Sequence, residues 1–356
     1  MSRLVLITGT GRSGTSTMAG MLHHLGLHVP GPYLQANPSN PKGFYESRWA
    51  MRFHKSITGA AGLNDFDGRP TALARAQAAI TPEHREELIA FLRKRSKGHP
   101  QVVVKDPRSV WAQALWRDAC AEAGLEIDFI SMLRHPAEVV GSRTTYYASQ
   151  TDEARRRRYE IFNVGRWVNS SLVNEHETRG DRRAFVPYLA LLEDWRTVAR
   201  RLAAELGLSY DHEIGDDAPS PVDEFIDPSL RRHAVTWDDL QVPEPLADIA
   251  EGVWQCLERL SESGGVDDRA SAELDELSVR YQRLFDEAAA IGHDALEEAR
   301  KDAYQEGLRD GRAEAPGEPP TSDESSGERP GHGLDQAKEA AGRSWRRARS
   351  WLSGQR

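Results

Sequence analysis

The sequence has little cysteine, no long apolar run and no excess of positive charge, and each shortage excludes a class of protein. Two cysteines, Cys120 and Cys256, cannot build a disulfide framework in 356 residues, which favours a reducing compartment and a cytoplasmic location. No stretch reaches the roughly 18 consecutive apolar residues that a membrane-spanning helix needs. The formal net charge of −9 argues against a general nucleic-acid-binding protein. We also expect no signal peptide, because the first apolar run is short and ends in Gly-Thr-Gly.

What the sequence does have is a phosphate-binding pattern at its start. The apolar run 4–7 predicts a buried strand, residues 9–14 predict a tight loop, and a helix is predicted to follow. The backbone N–H groups of such a loop converge at a helix N-terminus, where unpaired donors and the macrodipole favour a bound anion. The sequence therefore predicts a phosphate site in this loop.

The composition of the loop narrows down the kind of phosphate site. Gly9 and Gly14 have the spacing of a Walker A loop, but Thr15 replaces its lysine, which disfavours a magnesium nucleoside triphosphate. A dinucleotide pattern through Gly11 also fits, but no strand ending in a ribose-binding acid follows about 20 residues later. The loop instead supplies one cation, Arg12, and hydroxyls suited to a tetrahedral oxyanion held without a metal. The hydroxyls belong to Ser13, Thr15, Ser16 and Thr17.

A second apolar run, residues 101–104, predicts a strand. Charged residues follow it, and then a predicted helix. The charged residues are Lys105, Asp106 and Arg108. Ligands of open α/β sheets bind beyond the carboxyl ends of strands, so these charges lie beside the first loop if the two strands are neighbours. A solvated turn with a cluster of charges is the alternative interpretation.

A third run, residues 127–133, repeats the pattern. Arg134 precedes a helix whose first turn is preset by Pro136, and Ser142 lies about two turns into that helix. A phosphate alongside this helix could contact both Arg134 and Ser142. Three strand-to-helix units of this kind predict an α/β fold, with a central, mainly parallel sheet flanked by helices in three layers.

A candidate general base lies between the first two units. Glu46 ends a proline-rich segment and directly follows two aromatic residues, a setting that suits a carboxylate acting as a base. The alternative is that Glu46 only helps to start the next helix. His54 and Asp106 are the further candidates for a base.

These motifs together resemble those of sulfotransferases that use 3′-phosphoadenosine-5′-phosphosulfate (PAPS). Residues 11–16 are similar to the 5′-phosphosulfate loop of carbohydrate and bacterial members. Arg134 with Ser142 is similar to the family's 3′-phosphate motif. Residues 40–46 resemble a bacterial segment whose glutamate is a catalytic base. The resemblance implies a P-loop-type fold and PAPS as the sulfuryl donor, with no metal required.

The resemblance continues into later parts of the chain. Residues 185–208 are similar to a region where the family carries a tyrosine near the adenine, and residues 225–232 resemble a late loop whose arginines close over the nucleotide. The donor-binding residues implied in this way are Gly11, Arg12, Ser13, Gly14, Thr15, Ser16, Thr17, Arg134, Ser142, Tyr188, Arg231 and Arg232. The candidate catalytic residues are Glu46, which the resemblance implies, and Lys105 and Arg12, which the chemistry of the transfer suggests.

The chemistry of sulfuryl transfer agrees with these assignments. As in phosphoryl transfer, an in-line displacement builds charge on the leaving phosphate oxygen. We expect Arg12 and the loop amides to stabilise that oxygen, Lys105 to steady the sulfuryl group, and Glu46 to take the proton of an acceptor hydroxyl. The acceptor is a small molecule, a glycan or a glycolipid. Two alternatives stay open: a nucleotide-binding module without transfer activity, recruited through its C-terminal tail, and a P-loop kinase.

The C-terminal part of the chain changes composition twice. We predict an α/β domain over 1–265 and a helical extension over 271–312, whose segment 272–312 could pair with another chain. Residues 313–333 have the composition of a disordered linker. The tail 334–356 is basic and amphipathic, so it could touch an anionic membrane surface or a partner protein.

Overall fold

The computed structural model of the chain describes residues 2–37, 40, 42–147, 152–216, 218–226 and 235–313. Arg231 and Arg232, the tail 334–356, and all of the predicted linker except residue 313 lie outside these described residues.

A four-stranded parallel sheet forms the centre of the fold. Its strands are β1 (Arg3–Thr8), β2 (Gln101–Lys105), β3 (Glu126–Leu133) and β4 (Arg183–Pro187). They lie in the order β2–β1–β3–β4 and pair in parallel throughout. Ile7 stands opposite Lys105 on one side and Ile130 on the other, so the carboxyl ends of three strands meet at one edge.

Helices follow each strand and cover the sheet. The described α-helices are α1 (Thr15–His24), α2 (Arg48–Ala60), α3 (Ala72–Ala79), α4 (Pro82–Ser96), α5 (Gln113–Ala123), α6 (Pro136–Tyr147), α7 (Glu153–Glu177), α8 (Tyr188–Glu193), α9 (Trp195–Leu206), α10 (Pro221–Phe225), α11 (Glu244–Glu262), α12 (Asp268–Ile291) and α13 (His293–Ala313). A 3₁₀ helix, Pro107–Trp111, follows β2. Of the helices described, none combines the length and the apolar character needed to cross a bilayer.

The side chains of β1 alternate between the two faces of the sheet. Val5 and Ile7 belong to one apolar cluster, together with residues of α1, whereas Leu4 and Leu6 belong to a second cluster on the opposite face. All four side chains are fully buried. A near-continuous apolar run is what a strand covered on both faces requires. The structure thus confirms the predicted α/β class, with a parallel sheet between layers of helices.

A third apolar cluster extends the core towards the C-terminus. Leu274, Leu277 and Tyr281 of α12 are buried in it, and the Tyr281 hydroxyl donates to the carbonyl oxygens of Gly68 (2.7 Å) and Gly165 (3.0 Å). The chain divides into the compact units Met1–Ala289 and Ala290–Arg356. Most of α12 belongs to the first unit, where the three buried side chains complete its core.

Candidate active site

The loop between β1 and α1 is a tight turn that depends on glycine. At Gly9 the backbone has φ 124°, and a Cβ would lie 2.6 Å from the carbonyl oxygen of Met132 in the neighbouring strand. The Ser13 amide donates to the Thr10 carbonyl (3.2 Å), and the hydroxyls of the same two residues are 2.6 Å apart. Gly14, with φ 89°, is the N-cap of α1 and offers no capping side chain. The first amides of α1 are thus not capped by that residue, as an anion site at a helix N-terminus requires.

Arg12 connects this loop to the two residues predicted for a 3′-phosphate. Its Nε donates to the Ser142 hydroxyl (3.1 Å), and its carbonyl oxygen accepts from Arg134 Nη1 (3.1 Å). Arg12 also adopts φ 75°, a left-handed conformation that is uncommon for a residue with a Cβ and costs of order 1 kcal/mol. The structure therefore brings the first and third strand-to-helix units together at one point.

Arg134 is nearly buried and only partly satisfied. Its Nε donates to Glu138 Oε2 (2.9 Å), one turn further along α6, and its guanidinium lies 5.2 Å from the centre of the Tyr188 ring. Its Nη2 is buried and has no hydrogen-bond partner among the residues that the structure describes. An unpaired buried donor is unfavourable by about 1–3 kcal/mol, and more when it is charged. An anion bound at this point would supply the missing acceptor.

Tyr188 lies against the loop rather than apart from it. It begins α8 directly after β4, and its ring fills the space above Gly14, where a Cβ would lie 2.1 Å from the ring. Burial raises the pKa of Tyr188, against a smaller opposite effect of Arg134. The residue expected near an adenine thus contacts the loop and Arg134.

Glu46 is held between two cations at the end of β2. Lys105 Nζ lies 2.7 Å from Glu46 Oε2, and Arg108 forms a second ion pair with the other carboxylate oxygen. Glu46 is 5% and Lys105 3% exposed, so the first pair is almost completely removed from solvent. Tyr45, immediately before Glu46, has φ 47°, a second left-handed backbone at a non-glycine residue. The charges that follow β2 are therefore not a solvated surface turn.

The two other candidate bases lie deeper and bind each other. The His54 Nδ1 atom is 2.9 Å from Asp106 Oδ2, and the Trp116 indole N–H donates to His54 Nε2 (2.9 Å). Both ring nitrogens of His54 are therefore engaged within the core, where the side chain is 1% exposed. Asp106 accepts in addition from the Arg108 amide (2.9 Å). Of the three candidate bases, Glu46 therefore lies at the end of this buried series of polar side chains that is on the side of the loop.

The pKa shifts of Asp106 and Arg108 follow from the opposite charges that lie next to each other in this buried group of side chains. Burial alone would raise the pKa of Asp106, but His54 and Arg108 hold it below its usual value. Burial acts to lower the pKa of Arg108, yet Asp106, Glu46 and Asp65 together raise it above its usual value. Arg108 is thus a permanent cation that fixes the carboxylates around it.

A cavity of about 520 Å³ opens beside the loop. Its walls come from the loop, the segment after α2, α6 and α7, and the residues are Gly11, Arg12, Leu63, Asn64, Asp65, Phe66, Arg143, Tyr159, Asn163 and Arg166. Asp65 Oδ2 lies 3.1 Å from Arg108 Nη1, and Arg108 also pairs with Glu46. The cavity is therefore linked to the candidate base through one shared arginine. Its volume falls in the range of small-molecule sites.

Several of these wall residues are not recognisable in the sequence. Arg143 Nη1 donates to Asn163 Oδ1 (2.8 Å), and its guanidinium lies 4.9 Å from the Phe66 ring. Arg166 lines the same cavity from α7. Their spacing along the chain matches no motif, and only the packing of α6 and α7 beside the loop brings them together.

A buried amide ties together the elements behind the loop. Asn174 of α7 accepts from the Thr8 hydroxyl (2.9 Å) and the Gln113 amide (2.7 Å), and donates to the Ser131 hydroxyl (2.7 Å). These partners lie on β1, α5 and β3. One side chain therefore joins four elements next to the carboxyl ends of the central strands.

Comparison with known proteins gives one family model and two solved structures. A family model described as the sulfotransferase family matches residues 5–212, which include the loop, Glu46, Lys105, Arg134 and Tyr188. The sulfotransferase domain of the Synechococcus PCC 7002 olefin synthase is 18% identical, with 75% of this chain and 95% of that chain covered and a TM-score of 0.37. A sulfotransferase domain from the curacin biosynthetic pathway is also 18% identical, with 72% and 98% covered and a TM-score of 0.41. No curated protein matches the chain.

Proposed function

The chain belongs to the sulfotransferase family, and from that premise we propose that it transfers the sulfuryl group of PAPS to a hydroxyl of a small-molecule, glycan or glycolipid acceptor. The observation that carries the proposal is the contact of Arg12 with Arg134 and Ser142. This contact supports the proposal, because it joins a loop suited to the 5′ end of a nucleotide with a cation and a hydroxyl suited to its 3′-phosphate. One ligand with both phosphates fits that arrangement better than a nucleoside triphosphate does.

The residues present fit the donor. The unpartnered Nη2 of Arg134 supplies a charged donor for a phosphate oxygen, and Arg12 with the first amides of α1 faces the 5′ end. PAPS supplies the sulfuryl group and leaves as adenosine 3′,5′-bisphosphate. Arg12 and the loop amides stabilise the charge that develops on the leaving oxygen.

Glu46 and Lys105 have the two remaining roles, to accept the proton and to bind the sulfuryl group. At rest Lys105 pairs with Glu46 Oε2. In the proposed mechanism the Lys105 ammonium turns to the incoming sulfuryl oxygens, which frees that carboxylate oxygen to accept the proton of the acceptor hydroxyl. Arg108 keeps the other oxygen, Oε1, in place. The acceptor enters through the cavity beside Arg12.

A transfer assay tests the proposal directly. The purified chain is incubated with PAPS and a cell extract, and products that gain a sulfuryl group are detected by mass spectrometry. We expect a sulfated product without added magnesium. Binding of adenosine 3′,5′-bisphosphate without transfer would instead support a nucleotide-binding module, and magnesium-dependent binding of ATP would support a kinase.

The 3′ site is tested separately by Arg134→Met. We expect the Kd for adenosine 3′,5′-bisphosphate to rise about 10- to 100-fold, as for loss of a charged hydrogen bond, with a smaller change for adenosine 5′-monophosphate. Isothermal titration calorimetry measures both. Arg280→Met, at an exposed position of α12, is the matched control. Equal losses for the two nucleotides would refute the 3′ site.

A further inference from the structure

The cavity beside the loop has more positive than negative charge in its wall. Three arginines, Arg12, Arg143 and Arg166, line it, with Asp65 as its one lining carboxylate among the described residues. Asp65 is already paired with Arg108 at 3.1 Å. The cavity therefore offers cations in excess, and one of its arginines lies at the proposed sulfuryl donor.

Arg166 lines this wall without a salt bridge among the described residues, although Asp67 and Asp65 are near enough to oppose the lowering of its pKa by burial. Among the described residues its guanidinium makes no hydrogen bond and no ion pair; it lies 4.5 Å from the centre of the Phe162 ring. The nearby Asp67 is bound at 2.6 Å by Arg69, so that carboxylate is occupied. The Arg166 side chain is also partly buried, so its guanidinium has lost some of its water without gaining an acceptor.

The other side chains of the wall suit a ligand that is partly flat and apolar. Phe66 and Tyr159 present rings, and Asn163 holds the Arg143 guanidinium through a 2.8 Å hydrogen bond. Arginines bind carboxylates and phosphates through paired N–H donors, which gives both affinity and orientation. An anion placed at Arg166 would orient the rest of a ligand between the rings and the loop.

We propose that the acceptor carries an anionic group, a carboxylate or a phosphate, and that Arg166 binds this group while the acceptor hydroxyl faces Glu46. Arg143 is the second cation in reach of the same group. The inference rests on the proposed function in one respect: it takes the cavity to be the acceptor site. Arg166 thereby determines specificity and takes no part in the displacement itself.

Binding of matched pairs of small molecules tests the proposal. The pairs are 4-hydroxyphenylacetate with its amide, glucuronate with glucose, and glucose 6-phosphate with glucose, titrated by saturation-transfer NMR into the full chain saturated with adenosine 3′,5′-bisphosphate. We expect at least one anion to bind about tenfold more tightly than its neutral partner. The carboxylate and phosphate pairs show which of the two groups the site takes.

Three variants assign the preference to Arg166. Arg166→Met removes the charge and keeps an apolar stem beside Phe162, and it should abolish the preference. Arg166→Lys should keep part of the preference for the anion, because the positive charge remains but the planar guanidinium with its paired N–H donors is lost. Arg155→Met, an exposed position on the same helix, should leave it unchanged. Thermal unfolding of each variant shows whether the fold is retained.

The outcomes separate this inference from the proposed function. If no pair favours the anion, or if the preference persists in Arg166→Met, the inference is overturned even when PAPS-dependent transfer is observed. If the preference is found and lost as expected but no acceptor is sulfated, the proposed function fails while the anion site stands. Should the bisphosphate not bind, the same titrations are made without it and judged in the same way.

Discussion

The carboxylate of Glu46 lies between Lys105 and Arg108, with almost no contact to solvent. Two cations on one carboxylate make a rigid arrangement, in which each oxygen has its own partner. Such a pairing fixes the position of a base before any substrate binds, which is how preorganised groups contribute to catalysis. The left-handed backbone of Tyr45 directly precedes this carboxylate.

The first prediction concerns the proposed base. Glu46→Gln should lower kcat about 10²- to 10⁴-fold, because the amide keeps the shape of the side chain but cannot accept the proton. The Kd for adenosine 3′,5′-bisphosphate should stay close to that of the wild type. Steady-state kinetics and calorimetry give the two quantities, with Glu86→Gln at an exposed position of α4 as the control. Substantial retained turnover would move the role of base to another residue.

A second prediction at this scale uses the pKa of Asp106. His54 and Arg108 hold that pKa below 3.8, the usual value that applies in the unfolded chain. The stabilisation from the carboxylate is therefore fully present above about pH 4 and is lost as the pH falls through the acid range. Asp106→Asn should reduce the free energy of unfolding by about 3 kcal/mol at pH 7, and by progressively less below pH 4.

Urea unfolding at a series of pH values measures this difference. The exposed Asp302→Asn on α13 is the control and should differ little from the wild type at any pH. A gap between wild type and Asp106→Asn that stays constant down to pH 2 would show that Asp106 is not held in its ionised form by the pairs described.

At the scale of helices and strands, β1, β2 and β3 were predictable and β4 was not. The first three are apolar runs that end in glycine or charge, the pattern of buried parallel strands. The fourth, Arg183–Pro187, begins with an arginine that is buried, where it pairs with Glu175 at 3.1 Å and donates to the Gly265 carbonyl oxygen at 2.9 Å. A tertiary ion pair of this kind leaves no signal in local composition.

The candidate site divides in the same way. The sequence alone predicted Arg12, Lys105 and Arg134, because each belongs to a local motif of a few residues. The motifs lie in Gly9–Gly14, at the end of β2 and at the start of α6. The pairing of Arg108 with Glu46 and the cavity wall at Arg166 depend on contacts between segments far apart in the chain. No periodicity distinguishes such an arginine from an exposed one.

Helix α4 gives a prediction about local stability. Thr81 is its N-cap and accepts from the His84 amide at 3.4 Å, while His84 Nδ1 accepts from the Thr81 amide at 3.1 Å. Thr81→Ala should reduce the free energy of unfolding by about 1 kcal/mol, since the hydroxyl that accepts from the His84 amide is removed. Thr81→Ser keeps the hydroxyl and should retain most of the stability in urea unfolding; equal losses would contradict the capping role.

At the scale of the whole molecule, Tyr281 links three distant parts of the first compact unit. Its hydroxyl reaches the carbonyl oxygens of Gly68 and Gly165 from α12. Tyr281→Phe should therefore reduce the free energy of unfolding by about 1–2 kcal/mol, because the hydroxyl proton shared by these two carbonyl oxygens is removed. Tyr304→Phe, 66% exposed on α13, is the control and should have no measurable effect. Equal stability of the two variants would show that α12 is not secured by this contact.

The side-chain amide of Asn174 has a consequence for the entropic penalty of ligand binding. By joining Thr8 and Ser131 it sets the spacing of β1 and β3 at the edge where the nucleotide is proposed to bind. These contacts lie within the chain itself, so a nucleotide bound at this edge would not pay the entropic penalty of fixing the spacing of the two strands.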